Sequence, residues 1–131
     1  MLKSIKVSDY MAASLITFRP EMEMRAAISL LVEKRISGAP VVDDRGNLVG
    51  VLSEQDCMKV ALTAGYHEDM GGHVQDYMSK KVITMEYDTS ILKLAQTFID
   101  TPYRRFPVMQ NGRLVGQISR RDVLRALESI S

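Results

Sequence analysis

The chain is written twice. Val7, Asp9, Tyr10 and Met11 recur as Val74, Asp76, Tyr77 and Met78, a shift of 67 residues. Ile16-Thr17 and Pro40-Val41 recur as Ile83-Thr84 and Pro107-Val108 at the same shift. After a one-residue deletion, Gly46, Leu48, Val49, Gly50, Ser53 and Asp56 recur as Gly112, Leu114, Val115, Gly116, Ser119 and Asp122. An internal repeat constrains architecture more than any single motif. It predicts one repeat over 1–66, a linker over 67–73 and a second repeat over 74–131. Units of about 60 residues bury too little surface to be comfortable alone, so the two are expected to pack face to face, with two related clefts between them.

The periodicity of each copy predicts its elements. Ser8 is a candidate N-cap for a short turn through Tyr10. Leu15-Ile16-Thr17 reads as a short strand ended by Arg19-Pro20, because the residue before proline avoids the helical region. Met24, Ala27, Ile28 and Leu31 mark one face of a helix over 22–34, stopped at Ser37-Gly38. Strands are predicted over 39–43 and 48–52 around the Asp44-Arg45-Gly46-Asn47 turn, and Ser53 starts a helix to about Thr63. The second copy repeats this order. Ile91, Leu94, Ala95 and Phe98 form the helical stripe, strands follow over 106–109 and 114–118, and a helix runs over 120–128. Asp100-Thr101-Pro102 ends the long helix of this copy earlier than in the first.

The fold class is therefore α/β (α+β), with two β-α-β-β-α units. A tight glycine turn pairs two strands antiparallel, while strand–helix–strand favours a parallel neighbour. Leu15, Ile16, Val41, Val42, Val49 and Val51 are expected to face Val82, Ile83, Val108, Val115 and Ile118 in one shared core.

Bulk properties narrow the function. Net charge is +1, so no global field recruits nucleic acid or an anionic surface. No apolar run reaches the roughly 20 residues that span a bilayer, and the first residues carry lysines with no apolar stretch behind them, so neither membrane nor secretory signal is expected. The single cysteine, Cys57, fits a reducing cytoplasm and reads as a packing residue. His67 and His73, with Glu68 and Asp69, match no strong metal-ligand spacing and read as a solvated loop. No phosphate loop and no nucleophile–base arrangement is visible, so an enzyme is not expected.

Ser-x-x-Asp before a helix has two readings. It is a capping box, in which Ser53 and Ser119 cap and Asp56 and Asp122 reach back. It is equally a polar site, where a carboxylate accepts from a diol and the helix N-terminus meets phosphate. Spacing leaves both open, and duplication does not decide between them.

The run Ser-Gly-Ala-Pro-Val-Val at 37–42, the turn into Asn47-Leu48-Val49-Gly50, and Ser53-Glu54-Gln55-Asp56 resemble the CBS-domain family, tandem modules named after cystathionine β-synthase. So do Arg104-Arg105-Phe106-Pro107-Val108 and Arg113-Leu114-Val115-Gly116-Gln117-Ile118-Ser119-Arg120-Arg121-Asp122 in the second copy. The resemblance covers nearly the whole chain. It implies a regulatory sensor that binds AMP, ADP, ATP or a related adenosyl compound, with no cofactor required. By match to the family pattern, Asp56 and Asp122 would accept the ribose hydroxyls and Ser53 and Ser119 would meet phosphate. Thr17 and Thr84 would line the ligand, and Ile16 and Ile83 would flank the adenine. Family habit also implies a homodimer that signals to an effector protein.

The copies differ in charge. Arg104, Arg105, Arg120 and Arg121 stand where the first copy has Ser37, Gly38, Glu54 and Gln55. Arginine forks grip phosphate, so the second-copy site is expected to take the more phosphorylated nucleotide. The bland alternative is that these arginines are solvated or meet acids across a dimer. Two other functions remain: a ligand-free interaction scaffold, and nucleic-acid binding through the same arginines. Net charge and scarce aromatics disfavour the latter.

Overall fold

A computed structural model of the chain describes residues 2–67 and 71–130, with side chains for all of these except 64–67. In chain order its elements are α1 (Val7–Tyr10), α2 (Met24–Lys34), β1 (Gly38–Val42), β2 (Leu48–Ser53), α3 (Glu54–His67), α4 (Val74–Tyr77), β3 (Met85–Glu86), α5 (Ile91–Asp100), β4 (Arg105–Gln110), β5 (Arg113–Ser119) and α6 (Arg120–Ser129). Helix α3 continues past the expected stop at Thr63. Glu68, Asp69 and the side chain of His67 lie outside the described residues.

Helices and strands follow the repeat; compact units do not. One unit is continuous, Ile16–Val82, and the other is composite, Met1–Leu15 with Ile83–Ser131. Each repeat thus gives its N-terminal arm to the unit built by the other. In the composite unit the Val7 N–H donates to the Thr89 carbonyl at 2.8 Å, and the Ile91 N–H to Ile5 at 2.8 Å. In the continuous unit the Val74 N–H donates to Met22 at 2.8 Å and the Gln75 N–H to Pro20 at 2.9 Å. The sequence boundaries at 66 and 74 mark where the text repeats, not where contacts thin out.

In the continuous unit β1 and β2 pair antiparallel, and Phe18 adds a single parallel bridge to Val41. The core is Phe18, Met24, Ala27, Leu31, Ala39, Val41, Leu52, Val60 and Val74. In the composite unit β3 runs parallel to β4, which pairs antiparallel with β5 through the Asn111-Gly112 turn. Both turn residues have positive φ, 53° and 77°, which is the type I′ geometry that matches strand twist. Its core is Val7, Met85, Ile91, Leu94, Phe98, Phe106, Val108, Ile118, Val123 and Ala126.

Each unit has a buried core, packed between strands and helices and sealed by an arm. Of the residues assigned to one shared core, Val41, Val108 and Ile118 are buried; Leu15, Ile16, Val42, Val49, Val51, Val82 and Val115 are half-buried and Ile83 is exposed. Two expectations are corrected. The first strand of each copy begins later than Leu15–Thr17 suggested. Pairing starts at Phe18 and Met85, and Phe18 is fully buried. A bulky side chain entering the core fixes the register, whereas Ile16 stays half-buried and Thr17 exposed. Finally, Lys6 rather than Ser8 is the N-cap of α1. The Asp9 carboxylate accepts the Lys6 N–H at 2.8 Å, and Asp76 does the same for His73 at 2.8 Å.

Two glycines hold the arms close. A Cβ on Gly50 would stand 2.7 Å from Met78 Sδ and 2.9 Å from the Ser79 carbonyl oxygen. A Cβ on Gly116 would meet Met11 Sδ and the Ala12 carbonyl oxygen at 2.7 and 2.9 Å. The repeated glycine is needed for close backbone approach.

Candidate functional site

The strand directions gather the second-copy candidates at one end of the composite unit's sheet. Ile83 and Thr84 immediately precede β3, which begins beside Val108. Arg105 opens β4 and pairs with Ser119, the last residue of β5. The Arg120 N–H donates to the Arg104 carbonyl at 3.1 Å, tying the two arginine pairs together through the backbone. In the continuous unit, Ile16 and Thr17 precede the Phe18 bridge, Gly38 pairs with Ser53, and the Glu54 N–H donates to the Ser37 carbonyl at 2.9 Å. The same frame therefore presents four arginines in one unit and Ser37, Gly38, Glu54 and Gln55 in the other.

Both Ser-x-x-Asp motifs form capping boxes. Asp122 Oδ2 accepts the Ser119 N–H at 2.9 Å and the Ser119 hydroxyl at 3.0 Å, while Ser119 Oγ accepts the Asp122 N–H at 3.3 Å. At Ser53 and Asp56 the corresponding distances are 3.0, 3.0 and 3.1 Å. The box fixes each carboxylate at a helix N-terminus with Oδ1 turned away from the cap.

Around Oδ1 the copies diverge. Arg125 Nη1 donates to Asp122 Oδ1 at 3.0 Å, and its guanidinium lies 5.5 Å over the Tyr10 ring, a cation–π distance. Lys59 Nζ donates to Asp56 Oδ1 at 3.4 Å. Ser79 Oγ adds a further donor at 3.3 Å from Oδ1 and 3.5 Å from Oδ2. The Asp56 side chain is 7% exposed, that of Asp122 16%. Sequence reasoning missed Lys59, Arg125 and Ser79. A basic residue three positions after each aspartate was visible as a helix-surface pair, but Ser79 reaches Asp56 only because the arms are exchanged.

The arginines are not equivalent. Arg120 Nε donates to the Tyr103 carbonyl at 3.0 Å, so its guanidinium is partly committed to the fold. Arg104 and Arg121 are exposed and Arg105 half-buried, and none of these three side chains makes a hydrogen bond or ion pair among the described residues.

An aromatic group separates the units further. Phe98 stacks on Phe106 at 4.8 Å and Tyr103 tilts against it at 5.8 Å. The matching residues of the first copy are Leu31, Ala39 and Ile36. There a cavity of about 420 Å³ opens, lined among others by Ile28, Leu31, Ile36, Glu54 and Cys57. Burial pushes the Cys57 thiol pKa up, and the Asp56 and Glu54 carboxylates add to this, so the thiol stays protonated and weakly nucleophilic near neutrality. Among the described residues no group of His, Cys, Asp and Glu is arranged to hold a metal ion, and no helix is long and apolar enough to cross a membrane.

The profile of the CBS domain matches residues 7–63 and again 74–129. The chain is similar to the chloroplastic CBS domain-containing protein CBSX2 of Arabidopsis thaliana, at 28% identity over 148 residues, covering 92% of this chain and 62% of that protein. A crystal structure of CBSX2 in complex with AMP superposes with a TM-score of 0.84 at 32% identity, covering 96% of this chain and 98% of that one. The uncharacterized protein MJ1225 of Methanocaldococcus jannaschii is 28% identical over 123 residues, 94% of this chain and 43% of that protein. The CBS-domain containing protein ATU1752 of Agrobacterium tumefaciens superposes with a TM-score of 0.79 at 26% identity, covering 95% and 94% of the two chains. The chain thus spans 43% of MJ1225 and 62% of CBSX2 as full-length proteins.

Proposed function

The chain belongs to the CBS-domain family, which it matches twice, and from that premise we propose that it is a non-catalytic regulatory module that binds an adenosine nucleotide. One observation carries this reading. At the end of the composite unit's sheet, a helix N-terminus, the Asp122 carboxylate and the side chains of Arg104, Arg105 and Arg121 stand on neighbouring strand and helix ends. A carboxylate takes ribose hydroxyls, and guanidinium groups with the helix N-terminus take phosphate. The AMP complex of CBSX2, similar over nearly the whole of both chains, supports the ligand class.

The charge difference between the copies extends the proposal. The Asp122 site takes the more phosphorylated ligand, and the Asp56 site, with Glu54 beside it, takes a less charged one or binds weakly. Output is a change in self-association or in contact with an effector protein, since a ligand shifts a conformational equilibrium only by its differential affinity for the two states. Homodimer formation is part of the proposal. Val32, Met58 and Leu62 in one unit and Ile99 and Leu124 in the other are all more than half exposed on their helices, and exposed apolar surface of this kind marks interaction sites.

A thermal-shift panel of AMP, ADP, ATP, NAD and S-adenosylmethionine tests the reading. At 100-fold excess over the dissociation constant a bound ligand stabilises by about 2.7 kcal/mol. A clear rise with at least one adenine nucleotide is expected. Silence across the panel would overturn the sensor reading and leave the ligand-free scaffold, which the same exposed apolar residues favour.

A further inference from the structure

Ser79 does to Asp56 what a ribose hydroxyl would do. Its Oγ donates to the carboxylate at 3.3 Å from Oδ1 and 3.5 Å from Oδ2. Ser79 is exposed, but its backbone is fixed on β2 by reciprocal bonds with Val51, at 2.9 and 3.0 Å. An ionised carboxylate offers about four lone-pair sites. At Asp56 the Ser53 N–H, the Ser53 hydroxyl, Lys59 and Ser79 supply four donors, and the residue is only 5% exposed.

The other copy lacks this lock. The repeat places Ala12 where Ser79 stands, and Ala12 pairs with Gln117 as Ser79 pairs with Val51. Its methyl group has nothing to donate. Asp122 therefore receives three donors, the Ser119 N–H, the Ser119 hydroxyl and Arg125. Its carboxylate keeps one lone-pair site and about twice the side-chain exposure of Asp56, 16% against 7%.

We propose that Ser79 is a built-in hydroxyl that occupies the Asp56 acceptor and makes the tandem module single-sited, leaving Asp122 as the competent ribose acceptor. This rests on the nucleotide-binding reading and decides which half of the repeat performs it. Ser79 acts by positioning and occlusion: it specifies against ligand in one copy, and alanine at position 12 specifies for it in the other. Lys59 cannot carry this role, because its ammonium sits on a flexible, largely exposed stem that swings aside at little cost.

Calorimetric titration of AMP, ADP and ATP into four forms of the whole chain tests the proposal: wild type, Ser79→Ala, Ser79→Thr and Ala12→Ser. The wild type is expected to bind one nucleotide per chain. Ser79→Ala is expected to bind two, while Ser79→Thr, which restores the hydroxyl, returns to one. Ala12→Ser transplants the lock and is expected to weaken the remaining site about tenfold or more, the scale of one hydrogen bond to a charged group. Two equal sites in the wild type, or a single site in Ser79→Ala, would overturn the proposal while leaving nucleotide binding intact. Absence of binding in all four chains would remove the nucleotide reading and this inference with it.

Discussion

Ala12 and Gln117 exchange a reciprocal pair of backbone hydrogen bonds, each 2.9 Å long. Ala12 lies in the N-terminal arm of the first repeat and Gln117 lies on β5 of the second. The bond pair therefore records the exchange of arms, and the behaviour of both halves depends on it. Deleting residues 2–12 is expected to strip hydrogen-exchange protection from the amides of Ile91 and Gln117, whose acceptors are Ile5 and Ala12. The Val51 amide, bonded to Ser79, is expected to keep its protection. Loss at Val51 with retention at Gln117 would mean that each arm packs on its own repeat.

Close approach makes Gly50 and Gly116 intolerant of any side chain. Gly50→Ala and Gly116→Ala place a Cβ against the backbone carbonyl of an arm and are each expected to cost about 1–3 kcal/mol, the usual scale of overpacking. Gly46 has φ near 81° but open space around it, so Gly46→Ala should cost about 1 kcal/mol, from conformation alone. Urea titration separates the two classes. Equal costs at Gly46 and Gly116 would remove the packing explanation.

These positions also show what could be read from the chain before its structure. The stripes ending in Leu31 and Phe98 and the Asn111-Gly112 turn are local signals, and each governs a local element; the duplicated Gly50 and Gly116 were visible, but the arms they admit were not. The capping boxes were equally legible, and both formed. The exchange of arms was not. Val7 and Val74 are the same residue in the same context, so either could seal either core with an identical pattern. Everything dependent on that choice was hidden, including the Ser79 hydroxyl beside Asp56. Phe18 was overlooked for another reason: the β-branched and aliphatic run before it reads as a strand, yet the buried side chain that sets the register comes one residue later.

Arg35 closes α2 in the left-handed region, with φ near 55°. The Ile36 N–H donates to the Leu31 carbonyl at 3.1 Å, completing the helix stop that glycine normally supplies. A side chain there costs about 1–2 kcal/mol, part of it offset by the greater chain entropy that glycine loses on folding. Arg35→Gly is expected to stabilise the protein by about 1 kcal/mol, seen as a higher urea midpoint at unchanged m-value. A lower midpoint would show that the arginine makes a contact worth more than the strain.

Asp43 organises the first hairpin loop. Its carboxylate accepts the N–H groups of Asn47 at 2.8 Å and Arg45 at 2.9 Å, and the Asn47 side-chain amide at 3.1 Å. The Asn47 backbone bond, with the others, holds the carboxyl below its ordinary value of 3.8. A depressed carboxyl contributes stability that is present above its unfolded pKa and lost as pH falls through its folded one. Asp43→Asn should therefore flatten the loss of stability between about pH 5 and pH 2. An unchanged acid slope would contradict this role.

On the proposed reading the second-copy carboxylate, Asp122, receives the nucleotide and Asp56 does not. Calorimetric titration of ATP and AMP into Asp122→Ala and Asp56→Ala, each checked for a native melting transition, separates the two carboxylates. Asp122→Ala is expected to abolish binding and Asp56→Ala to leave it intact, with ATP favoured by Arg104, Arg105 and Arg121. Loss of nucleotide binding from the Asp56 substitution alone, with Asp122→Ala still competent, would overturn this assignment.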